Sequence, residues 1–528
     1  MNTPELLKFC IEKGLLVDEE VLSLFSETGD VESVKVIIEK IKNHTQKRLI
    51  TKKLFNENKE TVNQFFSDLP EENQKKLEKL KIQLGLSIKI SKEVSTEITK
   101  INEPEKTEIT NELGAYIEKV KVLTTYFSKP KKLGVSDFLD SFKNRFIEMK
   151  NILQNHYALD NLVSINKISG DRRGISIIGM VSDKRVSKNK NILLEVEDLT
   201  GKTKIFINSN NQELYKKAED VALDSVIGVN GSGKREILFA KEIVFPDSVI
   251  FERKKSPVEE HVLFIGDLHF GSKKFLEGNF LKLIDYLNNK VPNTPESEKI
   301  KYLFIVGDLV TGVGNYPGQE KDLKIKDLEE QFIMVSELLS KIRRDVKIII
   351  SPGNHDCVRL MEPQPLLDEK YAWPLYNLKN VILTENPATV NIGAVKDFPG
   401  FNVLTYHGFS FPYYANTIPK LMAEKVMNAP EKIMSYLLKN RHLAPAHTSA
   451  QYFPSKLDSH LIRQVPDIFF AGHTHKSAVS YYNNILLISS SSWEEKTPYQ
   501  EKFGNEPDHC KVPMFNLKTR AVKMLDFE

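Results

Sequence analysis

Cysteine is nearly missing from this 528-residue chain, and the three that occur, Cys10, Cys357 and Cys510, form no Cys-x-x-Cys pair. That scarcity argues against a disulfide framework and a thiolate zinc site, and it fits a reducing, intracellular setting. Long apolar runs are missing too: nothing approaches the roughly 20 residues that span a bilayer. The opening MNTPELLKFCIEKG has no basic segment followed by an apolar stretch, so neither a membrane span nor an export signal is expected. Charge of one sign is lacking, since 74 basic against 71 acidic residues leave only +3, and any surface for a polyanion must therefore be local. There is no internal repeat and no Gly-rich phosphate loop. What remains is a globular composition too long for one hydrophobic core, so two to four domains are expected.

The N-terminus opens with Thr3-Pro4-Glu5, where a Thr cap, a proline and an acid complement the free N–H groups of a helix start. Leu6, Leu7, Phe9 and Cys10, then Val21, Leu22, Leu24 and Phe25, then Val34, Ile37, Ile38 and Ile41 follow at helical spacing. Residues 1–45 thus read as a small helical module suited to docking. From 46 to 134, runs such as EENQKKLEKLK and INEPEKTEIT offer little apolar face, which predicts a polar linker, helical in part.

Residues 135–255 change character. Phe138, Phe142, Phe146, Met149, Ile152 and Leu153 mark one amphipathic helix. After it, ISIIGMVSDKRV, ILLEVEDLTGKTKIFI and SVIGVNGSGKREILFAKEIVF read as short strands broken by Gly, Asp and Asn turns, the pattern of a small barrel of the oligonucleotide/oligosaccharide-binding (OB) type. Its basic run from Lys184 to Lys190 has two readings, a phosphate-tracking strip or a solvated loop. From 256 to 528, apolar runs end repeatedly in polar residues: HVLFIGD, YLFIVGD, KIIISPGNHD, FNVLTYHG and DIFFAGHTH. Buried strands carry the backbone to a sheet edge, and the side chains just beyond converge on one crevice. Helical stretches at 326–343 and 418–440 fit an α/β sandwich.

Five clusters at those strand ends carry the chemistry. Asp267-Leu268-His269 sets a carboxylate and an imidazole on one side of an extended segment, where they can chelate a cation. Asp308 closes the strand YLFIV; Asn354-His355-Asp356 forms a turn; His407 and the pair His473 and His475 bring further imidazoles. Each alone is commonly a cap or a turn. Five together, in order, are a metal-site pattern. Phe411, Tyr413 and Tyr414 either line a substrate groove or fill the core. Arg441-His442-Leu443-Ala444-Pro445 reads as a helix end stopped by proline, with DNA contact as the alternative.

The ordered set D-x-H, G-D, G-N-H-D, H-G and G-H-x-H resembles the fingerprint of the calcineurin-like metallophosphoesterases over roughly residues 260–495. The resemblance implies an α/β fold with a β-sandwich flanked by helices, and two divalent cations. One would be held by Asp267, His269, Asp308 and His475, the second by Asp308, Asn354, His407 and His473. Such a pair, about 3.5–4 Å apart, activates water for in-line attack on phosphorus. Mixed imidazole and carboxylate ligation suits manganese first, with Fe, Zn²⁺ or Mg²⁺ as alternatives. His355 would stabilise the scissile phosphate or protonate the leaving oxygen, with Asp356 orienting it.

An OB-type barrel directly before a phosphoesterase resembles the B-subunits of replicative DNA polymerases. MEPQPLL (361–367), LLKNRHLAPAH (437–447) and the helix DFLDSFKNRFIEMKNIL are similar to segments of the small, exonuclease subunit of the archaeal family-D polymerases. In eukaryotic relatives several ligands are lost; here every ligand position is filled. The resemblance therefore implies a 3′-5′ exonuclease that trims misincorporated nucleotides from the primer strand of DNA. Its implied partner is the polymerase large subunit, with a sliding clamp as a further candidate, in the nucleoid-associated cytoplasm. The alternatives are a non-catalytic polymerase scaffold and a metallophosphatase acting on phosphomonoesters.

Overall fold

The computed structural model describes residues 3–26, 31–44, 49–50, 54, 59–67, 77, 119–124, 132–170, 172–455, 457–497, 500–501 and 506–528. The chain divides into two compact units, Met1–Glu112 and Leu113–Glu528.

In the first unit, helices Thr3–Glu12, Glu19–Ser26, Val31–His44 and Lys59–Ser67 surround a short parallel pairing of Leu16–Val17 with Leu49–Ile50. Leu6, Cys10, Val21, Phe25, Val34, Ile37, Ile38 and Ile41 are buried together, as their spacing predicts. The same core takes in Ile50, Leu54, Val62, Phe66 and Leu77, so the helical packing runs past position 45. Val62 and Phe66 stand four apart and share one helix face. Most of the span read as a polar linker lies outside the described residues.

In the second unit, helix Val135–Leu153 leads into a closed barrel of strands Arg172–Val186, Ile192–Asp198, Gly201–Ile207, Val226–Lys234 and Ile237–Val244. Inward residues Ile177, Val181, Leu194, Val196, Ile205, Val229 and Leu238 fill it. The expected turn at Asp198 is held by its own carboxylate, whose Oδ1 accepts from the Thr200 and Gly201 N–H groups while Oδ2 accepts from the N–H of Ile165. The basic run at 184–190 proves structural at its start. Lys184 Nζ donates to the carbonyls of Glu219 and Val221, and burial pulls its pKa down to about 8 against the raising pull of Asp220. Residues 185–190 are exposed.

Residues 256–528, joined by Val120–Val122, pack two six-stranded sheets face to face. One runs Val381–Leu383, Lys347–Ser351, Ile300–Val306, His261–Gly266, Lys511–Asn516, Val522–Asp526; the other runs Ala478–Tyr482, Ile485–Ser489, Ile468–Ala471, Phe401–Tyr406, Ala388–Ile392, Val120–Val122. Val262, Phe264, Phe304, Val403, Phe470 and Ile488 are among the residues that fill the space between them. Helices Glu277–Leu287, Leu328–Ser340 and Glu369–Tyr376 cover the outer face of the first sheet, while Phe411–Thr417 and Pro430–Lys439 cover the second. Strands buried on both faces explain the unbroken apolar runs, and each fully buried Ile, Leu or Phe contributes on the order of 1.5–3 kcal/mol.

Two sequence expectations need correction. The helix read over 418–440 is broken into Pro419–Ala423, a 3-10 turn at Val426–Asn428 and Pro430–Lys439. Lys425 is left-handed, with φ 51°, and Pro430 both lacks an N–H and disfavours helical geometry in Ala429. Within the span read as linker, Val120–Val122 is an edge strand, pairing antiparallel with Ala388–Ile392.

Candidate metal centre

The register of the sheets fixes the site. Gly266 pairs with Val306 and Val306 with Ser351, so three parallel strands end level in one sheet. In the other, Tyr406 pairs with Ala471. The residues just past these ends are Asp267, Asp308, Asn354, His407 and His473, and His269 and His475 follow two residues after Asp267 and His473.

The structure brings all seven together. Donor atoms of Asp267, His269 and His475 lie within 4.8 Å of one another, as do those of Asp308, His407 and His473. His269 Nε2 is 3.1 Å from His475 Nε2, and His407 Nε2 is 3.0 Å from Asn354 Oδ1 and 3.2 Å from His473 Nδ1. Asp308 Oδ2 lies 3.8 Å from His269 Nε2 and 3.4 Å from His407 Nε2, and donor atoms of His269, Asp308 and His355 also lie within 4.8 Å of one another. Two carboxylates, four imidazoles and an amide oxygen turned toward each other form a donor set for borderline divalent cations.

The local backbone is unusual. Asp267, His269, Asp308, His473 and His475 all have positive φ, between 48° and 68°, a region that costs a non-glycine residue about 1–2 kcal/mol each. Neighbouring glycines make room. A Cβ on Gly307 would lie 2.1 Å from His407 Nδ1, and one on Gly353 would lie 2.3 Å from Asp308 Oδ1. A side chain at either position would displace His407 or Asp308.

Hydrogen bonds hold the donors in place. Asp267 accepts from the His473 N–H and from Ser490 Oγ. His407 Nδ1 lies 3.4 Å from the Val306 carbonyl, which leaves Nε2 for the site. The His407 N–H donates to Asn386 Oδ1, Asn386 Nδ2 donates to Gln364 Oε1, and Gln364 Nε2 donates to the Gly353 carbonyl. Thus the MEPQPLL segment supports two ligand loops from beneath. Burial raises Asp267 to about 7, with Asp308 adding to it and His407 opposing. Burial also acts to raise Asp308, yet His407 and His355 hold it well below the usual carboxylate range. For His407, burial pulls down but Asp308 outweighs it, lifting the imidazole to about 9. Burial, with help from His407, drops His473 to about 3.

His355 and Asp356 take different places. The N–H of His355 donates to Asp308 Oδ1 at 2.8 Å, and its Nδ1 lies 3.0 Å from the Thr311 carbonyl. Asp356 is buried, and its two oxygens accept from the N–H groups of Val310 and Gly353 at 2.9 and 2.7 Å. The orienting contact expected from Asp356 is made instead by Thr311, because two backbone donors already claim the carboxylate. Asp356 braces the turn.

A cleft of about 1160 Å³ opens over the cluster, lined by His355, Tyr316, Pro412, Asn416 and Met427 among others. Phe411 and Tyr414 are fully buried in the helical core, so the core reading holds for both; Tyr413 is half-buried against it. Arg441 donates to the carbonyls of Ile462 and Arg463, and His442 Nε2 sits 3.0 Å from Asp458 Oδ2, which makes that segment structural. Sequence reasoning missed Thr311, Gln364 and Asn386, and it did not single out Tyr316, which lines the cleft. A signal for Tyr316 was present in the glycine-rich loop TGVGNYPG that follows Asp308.

Comparison with known proteins places the chain in a family. The calcineurin-like phosphoesterase family matches residues 260–477. The chain is similar to the DNA polymerase II small subunit of Methanothermobacter thermautotrophicus, 35% identical over 397 residues that cover 74% of this chain and 80% of that protein. It is similar to the DNA polymerase II small subunit of Pyrococcus furiosus, 36% identical over 409 residues covering 76% of this chain and 65% of the relative, so slightly under two thirds of that longer protein is matched. The Thermoplasma acidophilum protein of the same name is 32% identical over 435 residues, 78% of this chain and 85% of its own length.

Proposed function

Because the chain belongs to the archaeal DNA polymerase II small-subunit family, we propose that it is the 3′-5′ exonuclease subunit of a heterodimeric replicative polymerase. The observation that carries this reading is the complete, converging donor set at the strand ends, with Asp308 facing both His269 and His407. Asp267, His269, Asp308 and His475 would hold one divalent cation; Asp308, Asn354, His407 and His473 would hold the other, manganese being the first candidate. When bound, such a pair supplies Lewis acidity that lowers the pKa of water and neutralises phosphate charge.

The chain's own residues do the rest. His355, fixed by Thr311 and by Asp308, presents Nε2 to the cleft and gives a proton to the leaving 3′-oxygen. Val310 and Gly353, tied to Asp356, hold the turn on which Asn354 and His355 stand. The substrate is the 3′ end of a primer strand and the product a nucleoside monophosphate. The partner is the polymerase large subunit, a sliding clamp is a further candidate, and the compartment is the nucleoid-associated cytoplasm.

The test is to incubate the full chain, alone and with its large subunit, with a 3′-mismatched primer and Mn²⁺. Release of nucleoside monophosphates is expected. No release in either state with two metals bound would favour a scaffold, and turnover of p-nitrophenyl phosphate with indifference to DNA would favour a phosphatase.

A further inference from the structure

We propose that Tyr316 is the platform on which the base of the 3′-terminal nucleotide stacks, a reading that rests on the exonuclease proposal. The cleft of about 1160 Å³ exceeds the roughly 300–1,000 Å³ of a small-molecule pocket, so it admits a chain end as well as its phosphate. Tyr316 lines this cleft alongside His355, His269 and His475. Tyr316 is 45% exposed, and among the described residues it belongs to none of the hydrophobic clusters. A large aromatic left out of the core and set beside a phosphodiester site is a stacking surface in want of a partner.

The ring is also held still. Its phenol donates to Asp322 Oδ2 at 2.9 Å. The loop that carries it turns at Gly312, Gly314 and Gly318, with φ of 70°, 82° and 82°, and two buried glutamines fasten it from below. Gln319 accepts from the Asn315 N–H and donates to the Thr311 carbonyl; Gln331 accepts from the Gly312 N–H and donates to the Ile325 carbonyl. Asn315 Nδ2 donates to the same Thr311 carbonyl that His355 Nδ1 meets. One loop therefore sets both the proton donor and the aromatic face. An enzyme that removes whichever base is wrong needs recognition that ignores base identity, and stacking provides that where edge hydrogen bonds do not. A terminal base seated on Tyr316 has left its duplex stack, a displacement that costs least at a mismatch.

The experiment compares kcat/KM of the full chain with Mn²⁺ on two single-stranded oligodeoxynucleotides, one with an ordinary 3′ nucleotide and one with a 3′ abasic tetrahydrofuran residue. Wild type is expected to prefer the ordinary end by about tenfold, the lower half of what one base–aromatic stack supplies. Tyr316→Ala is expected to lose about that factor on the ordinary end and stay within about twofold on the abasic end, while Tyr316→Phe keeps most of the preference. Equal losses on both ends in Tyr316→Ala, or no preference in wild type, would overturn the platform while leaving the exonuclease standing. Cleavage of neither end by wild type, alone or with its large subunit and with two metals bound, would remove the exonuclease reading, and the platform with it.

Discussion

His355 and Asp356 are adjacent in the chain, yet one faces the cleft and the other the backbone, and their substitution should separate catalysis from architecture. His355 donates its N–H to Asp308 and rests Nδ1 on Thr311, so removing its imidazole deletes a donor beside the scissile phosphate and no member of the seven-residue donor set. His355→Ala is expected to lower kcat by about 10²–10³ with metal content by mass spectrometry unchanged; loss of both metals would reassign the imidazole as a ligand. Asp308 is the opposite case, since its Oδ2 faces imidazoles of both groups. Asp308→Asn should weaken both sites by at least about tenfold, and two ions retained at wild-type affinity would refute a shared ligand. The seven converging donors were legible in the sequence because each lies in a contiguous motif at the end of an apolar run. Thr311, Gln364 and Asn386 were not: they act through a main-chain carbonyl or a single amide, and only the fold says which backbone group they meet. Asp356 was misread for the related reason that sequence adjacency suggested a contact which two main-chain N–H groups had already taken.

At the scale of elements, strands buried on both faces were the easiest to read and edge or supporting pieces the hardest. The five strands that end at the donor cluster are continuous apolar runs. Val120–Val122 is three residues among polar neighbours, and its role as an edge strand depends on a partner more than 260 positions away. Helix Val135–Leu153 was legible as amphipathic, but its apolar stripe hides a charge. Arg145 is buried, with Nε donating to Asp458 Oδ2 at 2.6 Å and Nη1 donating to the Pro445 carbonyl at 2.8 Å. Phe146, Met149 and Leu153 beside it pack against Ile178, Met180, Val226 and Val244 of the barrel and Leu461 of the phosphoesterase, so this helix joins the two parts. Burial would raise Asp458, yet Arg145 and His442 hold it well below the usual range. Arg145→Met leaves that carboxylate buried with only His442 and the His460 N–H as partners, and the expected loss is about 3 kcal/mol in urea unfolding. A change under about 1 kcal/mol would show the pair to be incidental to the joint.

For the molecule as a whole, the two sheets meet so that carboxylates and imidazoles are buried in one place, and protons must do there what cations would otherwise do. At neutral pH His407, lifted to about 9 by Asp308 against burial, holds its proton, and Asp267, raised to about 7 chiefly by burial, is about half protonated. A cation needs the ionised carboxylate and the neutral imidazole, so binding must release both protons. Affinity should therefore climb as pH rises through about 7 and on toward about 9. Calorimetric titration with Mn²⁺ at pH 7 in two buffers of different ionisation enthalpy should show between about one and two protons released per chain. Stability carries the same linkage with its sign reversed for the metal-free chain. A carboxylate whose folded pKa is raised binds its proton more tightly folded than unfolded, so the metal-free chain loses stability as pH climbs from the ordinary 3.8 through about 7. The metal-loaded chain carries no such penalty, because the carboxylate is ionised and paired. The gap in melting temperature between the two forms should thus widen across that window, and a constant gap, or Mn²⁺ binding indifferent to pH, would mean that these donors do not meet a cation.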